Sequence, residues 1–395
     1  MKKSIWQFGT ISFVMVLSVL FVLTNHSLCE DTFKQTQIHE LPLLPEGQHL
    51  SYIEGFNPDN PPELRKVMDE AFQESLDHGM KVARIQMDWP DVEPTKGIYK
   101  KQELIERLEF YHSKELAIFL LLCTADTDDL NYPEDLLDEE EGKLANDMKP
   151  DHPDIIKRYN KMLDWAIPIA KEYGVYCISV GNEPDTHQED DPTFMMHFIK
   201  FVAAVREHAH TIDPDIAITY TTTCDPVLHP YRKYGKYITD SVDILCFNFY
   251  GFGGRMGFNQ KKTEKIFDGM VKLAKGKPMQ IQELGCSSIN NPDTNWLFYE
   301  SSESIQSSFF QWFFKKMKTT EQMRAAYVFQ LVDHSPFIDE LYYNAFHEEH
   351  LPEGWTRKLC DWLKGLGLIS FKDAKKKEAW NEFLKGLELM YGESG

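Results

Sequence analysis

From about residue 50, short apolar runs alternate with longer segments that are apolar at every third or fourth position. The short runs are rich in β-branched and aromatic residues, which is typical of strands that are buried on both faces. The longer segments have the spacing of amphipathic helices. The strands predicted in this way are Leu50–Asn57, Val82–Trp89, Leu116–Cys123, Tyr176–Asn182, Ala217–Thr223, Val242–Tyr250, Met279–Glu283 and Ala325–Val332.

Helical segments separate these strands. Asn60 followed by Pro61 is a cap with proline in the first turn, which is a common helix start. The connection after strand five, around His229–Tyr237, has the weakest helical pattern. The tail Ser370–Gly395 has a helical pattern with an apolar stripe. The other predicted helices are Pro61–His78, Lys101–Lys114, Pro153–Tyr173, Pro192–Ile212, Lys261–Lys275, Glu303–Lys318 and Trp355–Leu366.

Strands that alternate with helices predict a parallel sheet, and eight is the number of strands that closes a barrel. We therefore expect an α/β fold, a single-domain (β/α)8 TIM barrel over residues 45–370, with a C-terminal helix over residues 371–395 packed on it. A doubly wound open sheet is the alternative. No glycine-rich dinucleotide motif follows the first strand, and no P-loop occurs.

Three connections are long, and long connections in compact domains usually carry function. They are Thr124–Asp151, Ser287–Ser302 and Ser335–Gly354, and each follows a predicted strand. In a barrel they would all lie on the face that carries the active site. The acidic run at residues 138–141 is interpreted as a solvated surface, so neither a metal nor a cofactor is expected.

The first thirty residues have the pattern of a targeting segment, with Lys2 and Lys3 before the apolar run Ile11–Leu23. That run is short for a membrane span. A signal peptide over residues 1–30 is the preferred interpretation, and a lipid anchor at Cys29 or an uncleaved anchor stays open. The protein is thus predicted to be exported, as a secreted, periplasmic or lipid-anchored protein.

Composition narrows the range of partners. The 395 residues carry a net charge of −20, which argues against nucleic acid and against an anionic membrane surface. Membrane association is expected only through the N-terminal segment, and the oligomeric state is left open. The seven cysteines show no zinc-type spacing, and most are interpreted as small buried residues, with one or two disulfides as the alternative.

Two predicted strands end in a glutamate. Strand four ends at Gly181-Asn182-Glu183-Pro184, where proline cannot continue the ladder, and strand seven ends at Gln282-Glu283-Leu284-Gly285. Two carboxyl groups at the ends of two strands are what the hydrolysis of a glycosidic bond requires. A capping or salt-bridging role for each glutamate is the alternative interpretation.

These two motifs resemble clan A of the glycoside hydrolases, a group of retaining β-glycosidases built on (β/α)8 barrels. Arg84 on strand two and Tyr250 at the end of strand six support the resemblance. So does Trp89 with the segment Glu93–Tyr99, and Trp89 is therefore a candidate substrate-binding residue. The resemblance extends from about residue 50 to residue 370.

The resemblance implies roles for individual residues. Glu183 would be the acid/base, and Glu283 would be the nucleophile, kept ionised by the charge of Arg84. Asn182 would hydrogen-bond a sugar 2-hydroxyl, and Tyr250 would orient the nucleophile. A structural ion pair for Arg84 and a core position for Tyr250 are the alternatives.

The chain departs from this pattern at strand eight, because no tryptophan stands where several clan families have one. Trp296 or Trp355 would then have to supply the aromatic platform for the sugar from a loop. Asp333 and His334, which follow strand eight, either contact sugar hydroxyls or cap the loop.

The function predicted from these residues is retaining hydrolysis of β-glycosidic bonds in a poly- or oligosaccharide, without a cofactor. The alternative is a carbohydrate-binding protein on the same scaffold that has lost turnover, which the missing tryptophan keeps open. A metal-dependent hydrolase is disfavoured, since strand one has no His-x-His. The sequence leaves the sugar and the linkage open.

Overall fold

The computed structural model describes residues 41–54, 60–127, 129–138, 143–188, 193–224, 227, 232–251, 258–290, 300–348 and 353–391. Eight strands of this part form one parallel sheet. The strands are β1 (His49–Tyr52), β2 (Val82–Asp88), β3 (Ala117–Cys123), β4 (Val175–Asn182), β5 (Ala217–Thr222), β6 (Leu245–Phe249), β7 (Met279–Leu284) and β8 (Met323–Val328).

Neighbouring strands in the sheet follow one another along the chain. The order runs from β2 through β3 to β8, and β8 pairs with β1. The end strands β1 and β2 contact each other, so the sheet is a nearly closed barrel. The (β/α)8 barrel predicted from the alternating pattern is confirmed, and the open doubly wound sheet is excluded by this order.

Helices cover the outside of the barrel. The weakest predicted helix is present, because the connection after β5 contains ten helical residues. The helices longer than one turn are α1 (Pro62–Asp77), α2 (Lys101–His112), α3 (Pro153–Glu172), α4 (Phe194–Ile212), α5 (Arg232–Ser241), α6 (Gln260–Ala274), α7 (Glu303–Lys318), α8 (Pro336–Glu348), α9 (Glu353–Lys364) and α10 (Glu378–Tyr391).

The connection after β8 differs from the prediction. The sequence pattern predicts no helix between residues 335 and 354, but most of this long connection is helix α8, and α9 begins at its end. Pro336 occupies the first helical position, where its fixed φ favours a helix and its missing N–H costs no hydrogen bond. This part of the active face is therefore a helix and not an irregular loop.

Side chains fill the interior of the barrel. Phe119, Tyr176 and Tyr327 are fully buried there and stack at tilted angles. The hydroxyl of Tyr176 donates to Gln280 Oε1 at 2.8 Å and lies 2.9 Å from the hydroxyl of Tyr327. The barrel is thus a packed core, as in other (β/α)8 proteins, and only its rim is open to ligands.

The C-terminal helix α10 packs against α7 and β1. Trp380 and Phe383 are buried in this contact, with ring centroids 5.4 Å apart. Gly386 lies where a side chain would meet Phe314 and Leu50, which allows the helix to approach closely. Helix α10 thereby covers one side of the strand that begins the barrel.

The described residues also test the alternative of disulfides and the presence of membrane-spanning helices. The six cysteines in this part of the chain are free, and five of them are buried, so no disulfide forms among them. Within the described ranges, no helix has the length and apolar character needed to span a bilayer. The predicted leader over residues 1–30, including Cys29, lies outside the described residues.

Asp243 is a buried carboxylate at the amino-terminal end of β6. It accepts hydrogen bonds from the Ile218 amide at 2.9 Å and from His210 Nε2 at 3.0 Å, and Arg206 Nε lies 3.9 Å away. Burial alone would raise the pKa of Asp243, but the hydrogen bond and charge of His210, with Arg206, lower it below its ordinary value. The carboxylate form is therefore stabilised by folding.

We expect Asp243→Ala to lower the free energy of unfolding by about 3–5 kcal/mol at pH 7, because it removes a buried carboxylate that His210, Arg206 and the Ile218 amide contact. Urea denaturation measures this value. Since folding lowers the pKa of Asp243, its stabilising contribution should be present above the unfolded pKa and lost as pH falls below it. Asp268→Ala, which removes an exposed partner of Lys316, should cost no more than about 1 kcal/mol. Equal losses in both variants would contradict this interpretation.

Candidate active site

The two glutamates lie on the same face of the barrel. Glu183 directly follows β4, and Glu283 lies near the carboxyl end of β7. Carboxyl ends of parallel strands meet at one rim, which is where barrel enzymes carry their active sites. Glu283 is buried, with 7% of its surface exposed, and Glu183 is partly exposed.

Two asparagine side chains connect the glutamates. Asn248 Nδ2, on β6, donates to Glu183 Oε1 at 2.9 Å and to Asn182 Oδ1 at 3.0 Å. Asn182 Nδ2 in turn lies 3.5 Å from Glu283 Oε1. In the β6–β7 pair, Asn248 is in register with Glu283. The structure thus brings Glu183, Glu283 and Asn182 into one site.

Glu283 has a hydroxyl on one oxygen and a guanidinium near the other. The hydroxyl of Tyr250 donates to Glu283 Oε2 at 2.5 Å, and Arg84 Nη2 lies 3.9 Å from Glu283 Oε1. Tyr250 also packs edge-on against Trp362, at a centroid distance of 5.1 Å. Tyr250 is therefore both a packing residue and a direct hydrogen-bond donor to Glu283.

Asp126 completes the site, and sequence reasoning missed it. It accepts from Asn182 Nδ2 on Oδ1 and from Gln86 Nε2 on Oδ2, both at 2.8 Å. Arg84 Nη2 donates to Gln86 Oε1 at 2.7 Å. Five side chains thus form a closed ring of polar contacts, here called the polar ring: Glu283, Arg84, Gln86, Asp126 and Asn182.

Asp126 reaches this position through a two-residue strand, Ala125–Asp126, that pairs with β4 at Asn182. The only signal in the sequence was its place directly after strand three, at the start of a long connection. Asn248 was also missed, because its role depends on the register between β6 and β7. Its signal was a polar residue inside the apolar run of strand six.

The two carboxyl groups hold their protons differently. Burial raises the pKa of Glu183 well above its ordinary value, and the charges of Glu283 and Asp185 raise it further. Burial also raises the pKa of Glu283, but the Arg84 charge and the Tyr250 hydroxyl act against it. Glu183 therefore keeps its proton to a higher pH than Glu283, which suits an acid beside a carboxylate.

The backbone of Glu183 lies in the left-handed region, with φ at 47°. For a residue other than glycine this conformation costs on the order of 1–3 kcal/mol and is found mostly at functional sites. It is held from both sides, since Glu183 N donates to Thr221 O at 2.8 Å and Thr186 Oγ1 donates to Glu183 O at 2.8 Å. The strain aims the carboxyl group after the strand has ended.

Trp89 does not lie in the site, so its predicted role in substrate binding is wrong. The indole is fully buried, donates from Nε1 to Glu93 Oε2 at 3.0 Å, and packs edge-on against Tyr159. Glu93 also accepts from Arg158 and from the Gly97 amide. The segment after β2 is therefore a structural unit that folds around Glu93.

Asp333 has a structural role. It pairs with the buried amine of Lys377 at 2.5 Å and accepts from the Gly367 amide at 3.0 Å. These contacts tie the end of β8 to the chain before α10. Burial raises the pKa of Asp333 to about 6, against the opposing charge of Lys377. Of the two roles considered for Asp333, the structure supports the capping one and not a sugar contact.

His334 is also used inside the protein. It is 5% exposed, contacts Gln330, and stacks parallel to Tyr342 with ring centroids 4.9 Å apart. Burial lowers the pKa of His334 to about 4, so the ring is neutral. His334 supports Tyr342 and does not reach a sugar directly.

Tyr342, in the connection after strand eight, is an aromatic side chain at this rim to which the sequence analysis assigns no role. It lies on α8 and is partly exposed, and burial followed by the charge of Glu283 raises its pKa to about 12. Trp296 and the side chain of Trp355 lie outside the described residues, so their proposed contact with sugar stays a prediction.

Asp88, Cys123 and Asp126 could each direct one donor atom to a common point, since these atoms lie within 4.8 Å of one another. Gln86 Nε2 already donates to Asp126 and, at 3.3 Å, to Asp88. The thiol of Cys123 donates to the Ala125 carbonyl at 2.9 Å. Hydrogen bonds thus explain the cluster, and we assign no metal to it.

Comparison with known proteins identifies the fold. No protein-family model matches the sequence, and no curated protein matches it. Among solved structures, a GH5_18 protein from Streptomyces cattleya in complex with GlcNAc aligns with a TM-score of 0.62 at 13% identity, over 89% of this chain and 82% of that one. Native xylanase10C from Cellvibrio japonicus aligns with a TM-score of 0.59 at 14% identity, over 91% and 75%.

The chain has a (β/α)8 barrel fold. An exo-β-1,4-mannosidase from Opitutaceae bacterium strain TAV5 aligns as well, with a TM-score of 0.57 at 14% identity. The alignment covers 86% of this chain but only 59% of the mannosidase. At such identities the likeness concerns the barrel fold alone, so the activity has to be argued from the site.

Proposed function

We propose that this protein is a retaining β-glycosidase, with Glu283 as nucleophile and Glu183 as acid/base. The observation that supports this most is the pairing of two carboxyl groups at one barrel rim in opposite environments. Glu283 lies beside a guanidinium and accepts a phenolic hydrogen bond, whereas two further carboxylates favour the protonated form of Glu183. Retaining cleavage requires one ionised and one protonated carboxyl group.

In the first step, Glu183 gives its proton to the glycosidic oxygen while a Glu283 oxygen attacks the anomeric carbon. The bond to the leaving group breaks, and a glycosyl ester of Glu283 forms. In the second step, the Glu183 carboxylate takes a proton from water, and the water oxygen displaces Glu283 from the anomeric carbon. The product keeps the β configuration, and both glutamates return to their first state.

The contacts of Glu283 indicate which of its oxygens attacks. Oε2 is engaged by Tyr250 at 2.5 Å, whereas the contacts of Oε1 to Asn182 and Arg84 are longer, at 3.5 and 3.9 Å. Oε1 is therefore the freer oxygen and the proposed nucleophilic atom. Tyr250 would hold the carboxylate plane, and Asn182 would contact the sugar 2-hydroxyl next to Oε1.

We further propose that the substrate is a neutral poly- or oligosaccharide met outside the cell. The net charge of −20 and the carboxylates around the site disfavour anionic sugars and nucleic acid. The apolar leader supports export and is the proposed route to any membrane attachment. The absence of a tryptophan from strand eight supports the second candidate, a carbohydrate-binding protein without turnover.

The proposal is tested by screening the full-length protein against aryl β-glycosides and polysaccharides. We expect hydrolysis of at least one of them, with the β anomer as the first product seen by NMR. A first product of α configuration would contradict the retaining mechanism. Quenching of tryptophan fluorescence by an oligosaccharide, without hydrolysis of any substrate, would favour the binding protein. Glu283→Gln, purified in parallel, controls for contaminating glycosidases.

A further inference from the structure

The turn that carries Glu183 has a second attachment, two residues further on, to the residue that directly follows β5. Asp185 accepts the Thr223 hydroxyl on Oδ2 at 2.5 Å, and the Thr223 amide lies 3.2 Å from each of its carboxylate oxygens. Only 7% of Asp185 is exposed. Together with the hydrogen bond from Glu183 N to Thr221 O, this contact fixes both ends of the turn to β5 and the residue that follows it.

These two attachments enclose the residue with the strained backbone. Glu183 stands between them with φ at 47°, a conformation that an unrestrained chain would leave. Pro184, with its fixed φ, separates it from Asp185. A shift of Asp185 would therefore be passed to Glu183 with little loss, since only one stiff residue separates them.

On this basis, and resting on the function proposed above, we propose that Asp185 is a positioning residue for Glu183. It holds the strained turn through Thr223, and its negative charge favours the protonated, acid form of Glu183. Asp185 touches neither the reacting atoms nor, by its burial, the substrate.

The charge surroundings of Glu183 support this role. It is faced by Glu283 from β7, by Asp126 from the two-residue strand after β3, and by Asp185 from its own turn, and each raises its pKa. Tyr250 at the end of β6 is neutral, and Asn248 donates a hydrogen bond that acts in the opposite direction. The Arg84 guanidinium lies on the Glu283 side of the site.

Hydrogen bonds from Thr223 stabilise the carboxylate form of Asp185. Burial raises the pKa of Asp185 above its ordinary value, and the hydrogen bonds that Thr223 donates to the carboxylate act against this rise. Of the three carboxylates that face Glu183, Asp126 and Glu283 also belong to the polar ring. Asp185 is therefore the one whose charge can be removed without breaking that ring.

Asp185→Asn tests the charge, because the amide has the same shape and keeps one acceptor for Thr223. Removing a like charge lowers the pKa of Glu183, so the alkaline limb of kcat/KM should move to lower pH by about 0.5–1 unit. The loss at pH 7–8 should be larger for substrates with poor leaving groups than for activated aryl glycosides. An unmoved alkaline limb would overturn the proposal.

Asp243→Asn is the matched control. Asp243 is also a buried carboxylate that accepts a backbone amide of the β5 region, but it lies at the opposite end of the barrel. Its loss should lower stability and leave the alkaline limb in place. If both variants move the limb equally, the effect of Asp185→Asn is a general consequence of destabilisation, and the proposal fails.

Thr223→Val separates the hydrogen bond that holds the turn from the charge of Asp185. This variant is informative even if Asp185→Asn does not fold. It removes the hydroxyl donor and keeps the amide donor and the Asp185 carboxylate. We expect kcat on poor leaving groups to fall by about threefold to tenfold, with the alkaline limb unchanged. Unchanged kcat in this variant would show that the hydrogen bond from the Thr223 hydroxyl is dispensable, and would overturn the positioning part of the proposal.

A direct titration distinguishes this inference from the proposed function. With 13C-labelled glutamate, the Glu183 side-chain carboxyl signal can be assigned as the one lost in Glu183→Gln. Its pKa should be lower in Asp185→Asn than in the wild-type protein, whether or not any glycoside is hydrolysed. An equal pKa in both proteins would refute the charge role, whereas an inactive wild type with a shifted pKa would refute only the glycosidase function.

Discussion

Glu283→Ala is expected to lower kcat by about 10⁴-fold or more on every substrate, because no glycosyl ester can form without the carboxylate. Steady-state kinetics with an aryl β-glycoside that the wild-type protein hydrolyses will measure the loss. Adding azide should give a glycosyl azide of α configuration, since the small anion attacks the anomeric carbon from the side that Glu283 has vacated.

The control for this variant is Glu103→Ala. Glu103 is a partly exposed glutamate on α2 that pairs with Lys100 and Arg107 on the surface of the protein. Its removal should leave kcat within about twofold of the wild-type value, as expected for an exposed ion pair. A loss of less than tenfold in Glu283→Ala would show that Glu283 is not the nucleophile.

Glu183→Ala should have an effect that depends on the leaving group. Substrates with poor leaving groups should lose about 10²–10⁴-fold in kcat/KM, because they require protonation of the glycosidic oxygen. Activated aryl glycosides need little protonation, so their first step should be nearly unaffected. Hydrolysis of the ester then becomes limiting, and azide should rescue it to give a β-glycosyl azide.

The pH profile gives a second readout of the same variant. Burial and the charges of Glu283 and Asp185 raise the pKa of Glu183, so the wild-type alkaline limb reports the loss of its proton. This limb should disappear in Glu183→Ala when the first step is followed with an activated substrate. Azide products of the same anomeric configuration from the two variants would refute the assignment of roles.

The barrel and its two glutamates could be predicted because their signals are local in the sequence. Each strand is a short apolar run, and Pro184 marks the end of β4 beside Glu183. Parallel strands with helical crossovers place their carboxyl ends on one face, whatever the details of packing. A local pattern was therefore enough to bring Glu183 and Glu283 to the same rim.

The neighbours of the glutamates could not be predicted in the same way. Asn248 is placed by the register between β6 and β7, and Asp126 by a two-residue strand that pairs with Asn182. Register depends on contacts between segments that are far apart in the chain. The role predicted for Trp89 was wrong for a related reason, because the burial of an indole depends on the helices that cover it.

The segment after β8 shows a further limit of sequence patterns. Its length indicated a functional connection and no helix was predicted in it, but it folds as α8 and presents Tyr342 to the site. Asp333 and His334 were expected directly after strand eight, but β8 ends at Val328, and their side chains contact Lys377 and Gln330 inside the protein. Position along a strand is thus more predictable than the direction of a side chain.

The polar ring has a consequence for anyone who wishes to redesign the sugar preference of this site. Each of its five side chains contacts two others, so changing Asn182 alone also releases Asp126 and the Glu283 oxygen beside it. Substitutions within one such network are coupled by about 0.5–3 kcal/mol and do not add. Libraries that vary one position at a time would therefore reject substitutions that succeed only in combination. Paired variation of Asn182 with Asp126 offers the shorter route.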